Sequence, residues 1–280
     1  MSGTLHVVAT PLGHLDDLSP RARETLAASA LIACEDTRRT TKLLAHCRIK
    51  RPMIAVHKFS ERERLDQVLA VLERGQDVAL VSDGGTPGLS DPGALLVAAA
   101  HDAGIRVSPV PGPSAAAAIL SVSGMPGDRF VFEGFLPPRG GERRSRLRAL
   151  ADEPRTVVIY EAPHRVKAAL ADMAGVFGAR AIVLGRELTK VHETILRGSA
   201  AEILAKLGDG EVKGEIVIAV SGYDGRSKTA AHDALESVWA NAVAGSNGDT
   251  RAALKSAAKE LAIKKPELWR RLVERRLVRD

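Results

Sequence analysis

The sequence predicts an α/β protein that begins with a largely parallel, helix-covered sheet, continues with a second α/β domain and ends in a basic helical tail. Three observations carry this prediction. Apolar strand patterns alternate with amphipathic helix patterns over the first part of the chain. A second α/β series follows a Pro- and Gly-rich segment, and strand patterns stop after Gly222. We therefore expect an α/β domain over residues 1–111, a second over 112–222 and a basic helical domain over 223–280.

The first domain alternates five strand patterns with four helix patterns. The strand patterns are "LHVVA", "LIAC", "PMIAVH", "VALV" and "RVSPV". The helix patterns are "SPRARETLAASA", "TRRTTKLLAHC", "SERERLDQVLAVLERG" and "GALLVAAAHDAG". Ser19 is the expected N-cap of the first helix, with Pro20 at its first position. The third helix is expected to begin at the cap Ser60 and to end at Gly75.

The second domain opens with a helix of small residues, "PGPSAAAAILSVSG". Its strand patterns are "RFVFEGF", "RTVVIYEA", "RAIVLG" and "GEIVIAV", and "HETILRG" indicates one arm of a hairpin. Helices are expected in the basic stretch after Pro137, in "HRVKAALADMAGVFG" and in "AAEILAKLG". Beyond Gly222, "DALESVWANAVA" and "RAALKSAAKELAIKKPELWRRLVERRLV" predict helices.

Composition favours a globular protein of a reducing compartment. The 280 residues are 45% hydrophobic, which is enough for a substantial core. Cys34 and Cys47 form no CxxC pair, so we expect neither a disulfide framework nor a cysteine zinc site. The first residues do not read as a signal peptide, and no apolar run is long enough to span a membrane. We expect a cytoplasmic protein without membrane attachment.

Positive charge is concentrated in two segments of a chain whose net charge is +6. Pro137–Arg148 carries five Arg against one Glu. Arg226–Asp280 carries twelve Lys and Arg against seven Asp and Glu. Basic patches of this kind favour a polyanionic partner, although solvated helix faces explain the composition equally well.

The loop "SDGGTPGLSDPG", Ser82–Gly93, joins a strand pattern to a helix pattern, as phosphate-binding turns do. It is not a P-loop, because Ala94 and Leu95 stand where Lys and Ser/Thr are required. Asp91 followed by Pro92 predicts an N-cap carboxylate, and that fixed anion would compete with a phosphate. We expect a ligand that glycine backbone approaches closely and that no phosphate holds there. A structural turn with an acidic cap is the alternative.

Two further loops follow strand patterns in the same way: "ATPLGH", Ala9–His14, and "PGPS", Pro111–Ser114. In open α/β sheets, ligands bind outside the carboxyl ends of the strands. Three such loops at one edge predict a cleft, in which Asp83 could engage a hydroxyl or an ammonium group.

Eight motifs, in order from Ala9 to Gly222, resemble the ribosomal RNA small subunit methyltransferase I family. They are "ATPLGHLDD", "CEDTRRT", "SDGGTPGLSDPG", "PGPSA", "GFLPPRG", "YEAPHR", "GRELTKVHE" and "GEIVIAVSG". The resemblance implies the two-domain tetrapyrrole-methylase (class III methyltransferase) fold, with a small helical tail domain, and S-adenosylmethionine as cofactor. It implies 2′-O-methylation of a cytidine ribose in 16S ribosomal RNA near the decoding centre. It also implies a homodimer whose partner is small-subunit ribosomal RNA or the 30S subunit.

The resemblance also implies roles for individual residues. The cofactor-binding residues carried over by motif are Pro11, Leu12, Gly13, Asp83, Gly84, Gly85, Thr86, Pro87, Ser114, Ala115, Tyr160 and Ala162, with backbone contacts from "GEIVIAV". Three positions depart from the family pattern: His14 replaces Asn, Gly84 replaces Ala, and Thr194 replaces a second Glu after Glu193. The last departure weakens any mechanism that needs paired carboxylates there.

Methyl transfer to a ribose hydroxyl is an in-line displacement in which alignment supplies much of the rate. A general base or a polarising cation at the hydroxyl should help. We expect Glu161 or Lys190 there, with Arg165 and Arg38 on flanking phosphates, because guanidinium groups bind phosphate bidentately. An i,i+4 ion pair or a helix cap is an equally good interpretation of Glu161 and Arg165. No histidine spacing indicates a catalytic metal.

RNA contacts are assigned mainly to the two basic segments. The expected residues are Arg38, Arg139, Arg143, Arg144, Lys264, Lys265, Arg270 and Arg271. The tail segment "ELAIKKPELWRRL" resembles a small helix–turn–helix in which Trp269 stacks on a base or, by preference, fills the core of the tail. Two alternatives stay open. One is a methyltransferase of the same fold that acts on a tetrapyrrole or another small molecule, and the other is a non-enzymatic RNA-binding assembly factor.

Overall fold

Two five-stranded sheets form the β-structure that the computed structural model describes. The described residues are 2–56, 61–225, 235, 238–246, 249–261, 264–274 and 277–278. The chain divides into two compact units, Met1–Gly222 and Tyr223–Asp280, and both sheets belong to the first. The domain boundary expected at residues 111 and 112 lies between the last strand of one sheet and the first strand of the other, and it stays a prediction.

The first sheet is parallel and brings its loops to one edge. Its strands are β1 (Thr4–Val8), β2 (Leu31–Cys34), β3 (Met53–Ala55), β4 (Val78–Val81) and β5 (Arg106–Val110), in the order β3-β2-β4-β1-β5. The helices that alternate with them are α1 (Pro20–Ala28), α2 (Thr37–His46), α3 (Glu61–Glu73) and α4 (Ala94–Asp102). Because the strands are parallel, the loops that follow β1, β4 and β5 meet at the same edge of the sheet.

Local sequence explains where these helices begin and end. The Ser19 hydroxyl accepts a hydrogen bond from the Ala22 N–H, which confirms the predicted N-cap before Pro20. Gly75, with a φ of 81°, follows the end of α3, and its N–H donates to the Leu72 carbonyl. The predicted cap Ser60 lies outside the described residues.

The second sheet is mixed. Its strands are β6 (Phe130–Phe135), β7 (Thr156–Glu161), β8 (Ile182–Arg186), β9 (Thr194–Gly198) and β10 (Ile216–Val220), in the order β6-β7-β10-β8-β9. Its helices are α5 (Ala115–Ser123), α6 (Gly140–Ala149), α7 (Val166–Phe177) and α8 (Ala200–Leu207). Only β6 and β7 pair in parallel among the described strands of this sheet. The parallel sheet predicted from the first part of the chain is confirmed by the first sheet. The predicted hairpin is confirmed, because β8 and β9 are consecutive strands that pair antiparallel.

The two faces of the second sheet are covered by different helices. One face carries Ile159 and Ile218 and packs with residues of α6, α7 and α8, such as Leu170. The other face carries Val158 and Val217 and packs with α5. The alternation of side chains along β7 produces this division, and it also sends Tyr160 toward the α5 face.

The second unit has a small helical core of its own. Its described helical stretches are 238–245, Thr250–Glu260 and Lys265–Glu274. Trp239, Ala253 and Leu268 are buried in one apolar cluster. Trp269, for which this core was the preferred position, is half-buried and lies outside that cluster. No helix in the described part of the chain has the length and apolar character of a membrane span.

Candidate functional site

A cleft of about 360 Å³ lies within the first unit and is lined from both sheets. Its volume is in the range of small-molecule sites. The lining residues are Leu12, Glu35, Arg39, Asp83, Gly84, Gly85, Thr86, Leu89, Asp91, Ser114, Ala115, Phe135, Tyr160, Glu161, Ala162, Pro163, Leu188, Gly214, Glu215, Ile216 and Val217. Nine of the twelve residues expected to bind a cofactor are among them. Pro11 and Gly13 line a smaller cavity of about 190 Å³ instead, and Pro87 lines neither.

Hydrogen bonds join the three loops of the first wall. Thr10 and Gly85 exchange two backbone bonds of 2.8 and 2.9 Å, and the Thr86 hydroxyl donates to the Pro113 carbonyl at 3.1 Å. Gly85 has a φ of 92°, which residues with a side chain rarely adopt. A Cβ at this position would lie 3.4 Å from the Leu12 side chain. The predicted convergence of the loops is confirmed, and glycine is needed at Gly85 for its backbone conformation.

Asp83 connects this wall to α2. Its carboxylate accepts a hydrogen bond from the Asp36 N–H at 3.0 Å and lies 3.5 Å from Arg39 Nε. Arg39 also reaches Glu215, next to β10, at 3.3 Å, and so bridges the two walls of the cleft. Arg38, which was expected on a flanking phosphate of the RNA, has a side chain that is 87% exposed and pairs with Asp36, and that role stays a prediction. Successive residues of a helix point about 100° apart, so only one of these neighbours can face the cleft.

Asp91 does not cap a helix, which corrects the prediction from sequence. The helix α4 begins at Ala94 with Gly93 as its N-cap, at a φ of 125°, and Asp91 lines the cleft. Gly93 has a positive φ, which is not helical, so helical backbone starts only after it, and the order Asp-Pro does not reveal this. Burial and then the charge of Glu35 raise the pKa of Asp91 to about 6, although a hydrogen bond with Ser82 opposes this.

Glu161 ends β7 and brings a buried carboxylate to the second wall. Its side chain is 0% exposed, and its Oε1 lies 2.7 Å from Arg165 Nη2 and accepts a hydrogen bond from the Ala162 N–H at 2.7 Å. Oε2 has no hydrogen-bond partner among the described residues. The i,i+4 ion pair considered from the sequence is therefore present, and it leaves one buried oxygen unsatisfied. Buried polar atoms without a partner are rare, and a ligand or a water accounts for many of them.

Lys190, the other residue expected at a hydroxyl, belongs to an ion-pair network. Its Nζ lies 2.8 Å from Glu187 Oε1 and 3.2 Å from Glu215 Oε2. Burial lowers the pKa of Lys190, but the hydrogen bond to Glu187 and the charge of Glu215 outweigh burial, so that the pKa is raised. Lys190 therefore stays an ammonium cation, which can polarise a neighbouring group but cannot remove a proton.

Phe135 lines the cleft because β6 contains a bulge. The register with β7 shifts between Phe132 and Gly134, and Gly134 has a φ of 69°. The extra residue turns Phe135 to the face that carries Phe132. Both rings meet Tyr160 edge-on, with centroid distances of 4.9 and 5.8 Å. Regular alternation along "RFVFEGF" would place Phe132 and Phe135 on opposite faces, so the sequence alone did not reveal this residue.

Residues 4–204 match the tetrapyrrole (corrin/porphyrin) methylase family. A Xylella fastidiosa protein named ribosomal RNA small subunit methyltransferase I is 53% identical over 223 residues, which cover 79% of this chain and 82% of that protein. Proteins of the same name from Pseudomonas aeruginosa and Escherichia coli O157:H7 are 51% and 46% identical, over 79% and 84% of this chain and 80% and 84% of theirs. The chain belongs to the ribosomal RNA small subunit methyltransferase I family. The resemblance seen in its motifs is thereby confirmed.

Solved structures confirm the fold expected for this family. A uroporphyrin-III C-methyltransferase from Thermus thermophilus aligns with a TM-score of 0.57 at 20% identity, covering 78% of this chain and 94% of that chain. A cobalt precorrin-4 methyltransferase aligns with the same score at 17% identity, covering 77% and 94%. At these identities the likeness concerns the fold alone, which is the class III methyltransferase fold.

Two of the three positions that depart from the family pattern make hydrogen bonds nearby, and the third has little space around it. The His14 N–H donates to Thr189 Oγ1 at 3.2 Å, and Thr194 Oγ1 accepts from Arg186 at 3.1 Å. A Cβ at Gly84 would lie 3.2 Å from the Pro11 carbonyl, a close but tolerable approach for the alanine usual in the family. Thr194 thus offers a neutral hydroxyl where a carboxylate was expected.

The basic segment in α6 is partly internal, which corrects the RNA-binding role expected for Arg143. Arg143 is only 7% exposed, and its guanidinium lies 2.7 Å from the carboxylate of Asp172 in α7. It therefore packs α6 against α7 and is not available to a partner. Arg144 also reaches Asp172, at 3.4 Å, but its side chain is half exposed, while Arg139 is exposed and pairs with Glu142.

The predicted RNA-binding residues of the tail are mostly exposed. Lys264, Lys265 and Arg270 lie at the surface of the second unit, and the side chain of Arg271 is outside the described part of the chain. Among the residues that the structure describes, no group of three or more His, Cys, Asp or Glu side chains is arranged to hold a metal ion.

Proposed function

We propose that this protein transfers a methyl group from S-adenosylmethionine to small-subunit ribosomal RNA, at the 2′-hydroxyl of a cytidine ribose near the decoding centre. We also propose that it acts as a cytoplasmic homodimer on the 30S subunit or its RNA. One observation carries the proposal: in a chain 53% identical to a relative named for small-subunit ribosomal RNA, the glycine loops and five carboxylates line a single cleft.

The cleft fits S-adenosylmethionine in size, backbone access and charge. Gly84 and Gly85 leave the first wall without side chains where a ligand can lie against backbone. The charged lining residues are Glu35, Asp83, Asp91, Glu161 and Glu215 against Arg39. This excess of carboxylates favours a ligand that carries sulfonium and ammonium groups. Leu12, Asp83, Ser114, Tyr160 and Ala162 are among the residues that would hold it. When bound, it supplies a methyl group that is already activated.

Glu161 is the residue best placed to hold the proton of the attacking hydroxyl. Arg165 and the Ala162 N–H fix Oε1, so Oε2 can accept a hydrogen bond without reorienting. Fixed geometry matters in this reaction, because alignment can supply up to roughly 7–11 kcal/mol of a barrier. Lys190 contributes positive charge near Glu215.

Transfer of tritiated methyl groups from S-adenosylmethionine tests the proposal with two acceptors, isolated 30S subunits and a porphyrinoid. We expect label in the RNA, recovered as 2′-O-methylcytidine by mass spectrometry of its nucleosides. Label in the porphyrinoid alone would support the small-molecule alternative. Failure to bind S-adenosylmethionine in calorimetry would support the non-enzymatic assembly factor. Loss of the modification in cells without the gene, and its return with the gene, would assign the activity to this chain.

A further inference from the structure

Aromatic side chains make up only 3% of the chain, yet three of them meet at one wall of the cleft. Phe132 and Tyr160 are partly buried against the α5 face of the second sheet. Phe135 is 52% exposed and still lines the cleft. Its edge contact with Tyr160 fixes the ring while leaving half of it open. An ordered, exposed aromatic ring at a cleft adds little to the core and is available to a ligand.

The bulge that turns this ring is held from both sides. Its extra residue, Glu133, receives a bidentate ion pair from Arg146 of α6, with N···O distances of 2.5 and 2.7 Å. A Cβ at Gly134 would lie 3.0 Å from Ser90 Oγ, so the tip of the first-wall loop rests against the bulge. Next to Ser90, Leu89 is 41% exposed and lines the same cleft. Each wall therefore presents one exposed apolar side chain.

We propose that Phe135 stacks on the nucleobase of the nucleotide whose ribose is methylated. This inference rests on the proposed function, because it takes ribosomal RNA as the substrate. A nucleobase offers a flat face to an aromatic ring, and such stacking tolerates any base. The carboxylates of the cleft repel phosphate, so the nucleotide enters with its base and ribose and keeps its phosphates outside. Leu89 supplies apolar surface from the opposite wall.

Phe130 provides a matched control for this role. It lies on the same strand, is 41% exposed, and is not among the residues that line the cleft. F135L removes the ring but keeps apolar volume, and F135Y keeps the ring. F130L makes the same change as F135L where no stacking is proposed.

Two measurements on the full chain separate stacking from cofactor binding. Steady-state methyl transfer to 30S subunits gives the KM for the RNA substrate, and calorimetry gives the Kd for S-adenosylmethionine. F135L should raise this KM about 5- to 150-fold, the range for one lost base stack, and should leave the Kd unchanged. F135Y should stay much closer to the wild type than F135L, and F130L should match the wild type.

Binding of fluorescein-labelled oligocytidylate, measured without turnover, distinguishes failure of this inference from failure of the proposed function. Tighter binding by the wild type than by F135L, without methylation of 30S subunits, overturns the proposed function but supports stacking. Equal oligonucleotide binding and equal KM for the wild type and F135L, with active methylation, overturn stacking alone. A Kd for S-adenosylmethionine that weakens as much as KM rises would assign the ring to the cofactor and also overturn stacking.

Discussion

Replacing Asp91 with Asn should stabilise the protein at neutral pH and weaken cofactor binding. Burial and the charge of Glu35 raise the pKa of Asp91 from the ordinary value of 3.8 to about 6. A carboxyl whose pKa is higher in the folded state binds its proton more tightly there. The free energy of unfolding therefore falls as pH rises from about 4 to about 6, and the full loss persists above that range.

The size of this effect follows from the two pKa values. A difference of about two pH units corresponds to roughly 3 kcal/mol. D91N removes the charge and keeps a side-chain oxygen that can accept a hydrogen bond from Ser82. We expect the unfolding free energy to increase by up to about 3 kcal/mol at pH 7.5, by roughly half of that at pH 5, and by little at pH 4. The affinity for S-adenosylmethionine should fall, because one of the anions that line the cleft is removed.

Urea unfolding followed by far-UV circular dichroism measures the change. Trp239 and Trp269 both lie in the second unit, so tryptophan fluorescence would not report on the cleft. D102N is the control, since Asp102 is an exposed carboxylate on α4. A stabilisation by D91N that is equal at pH 5 and pH 7.5 would refute the reasoning, as would a destabilisation at both.

Three further predictions concern single parts of the molecule. Gly85→Val forces a β-branched residue to a φ of 92°. It should abolish S-adenosylmethionine binding in calorimetry, while the far-UV circular dichroism spectrum stays native. Retained affinity would mean that this loop does not contact the cofactor. Arg165→Met leaves the buried Glu161 carboxylate unpaired and should lower the unfolding free energy by about 3–5 kcal/mol. Adding Glu161→Gln to this variant should restore much of the lost free energy. If urea unfolding shows that the losses of the two single variants add in the double variant, the ion-pair account is contradicted. Removal of the residues after Gly222 should spare cofactor affinity, weaken RNA binding and flatten its salt dependence, and unchanged RNA affinity across a salt titration would refute the role of the tail.

The first wall of the cleft could be predicted because it depends on topology. Parallel strands bring the ends of β1, β4 and β5 to one edge, so loops recognised separately in the sequence had to converge. The helix start at α4 could not be predicted in the same way. Asp91 followed by Pro92 satisfies a local capping pattern, but the backbone at Gly93 starts the helix three residues after Asp91. Capping patterns describe a preference, and here the backbone conformation of Gly93, with a φ of 125°, accompanies the observed helix start.

Phe135 and Arg39 were missed for two different geometric reasons. Side-chain alternation in a strand holds only while the register is regular, and the bulge before Gly134 inverts it. The glycine in "FEGF" is the one signal that could have suggested this. For Arg39, the choice between neighbouring arginines depends on the rotation of α2 about its axis, which is fixed by the packing of the helix on the sheet. A sequence pattern of ten residues does not determine that rotation to within one position.

That no phosphate binds at the Asp91 loop stays a prediction, and the reason for it changes with the corrected geometry. It was argued from a carboxylate that occupies a helix N-terminus, and that carboxylate instead belongs to a group of five that line the cleft. Carboxylates repel phosphate in both arrangements, but in the structure the repulsion comes from the whole cleft and not from one helix end. A nucleotide can approach such a surface only with its base and ribose toward the carboxylates and its phosphates toward solvent. The basic side chains that could receive those phosphates, such as Arg139 and Arg144, lie outside the cleft lining. The separation of charge in the fold therefore suits a cationic methyl donor inside the cleft and a polyanionic substrate whose phosphates lie outside it.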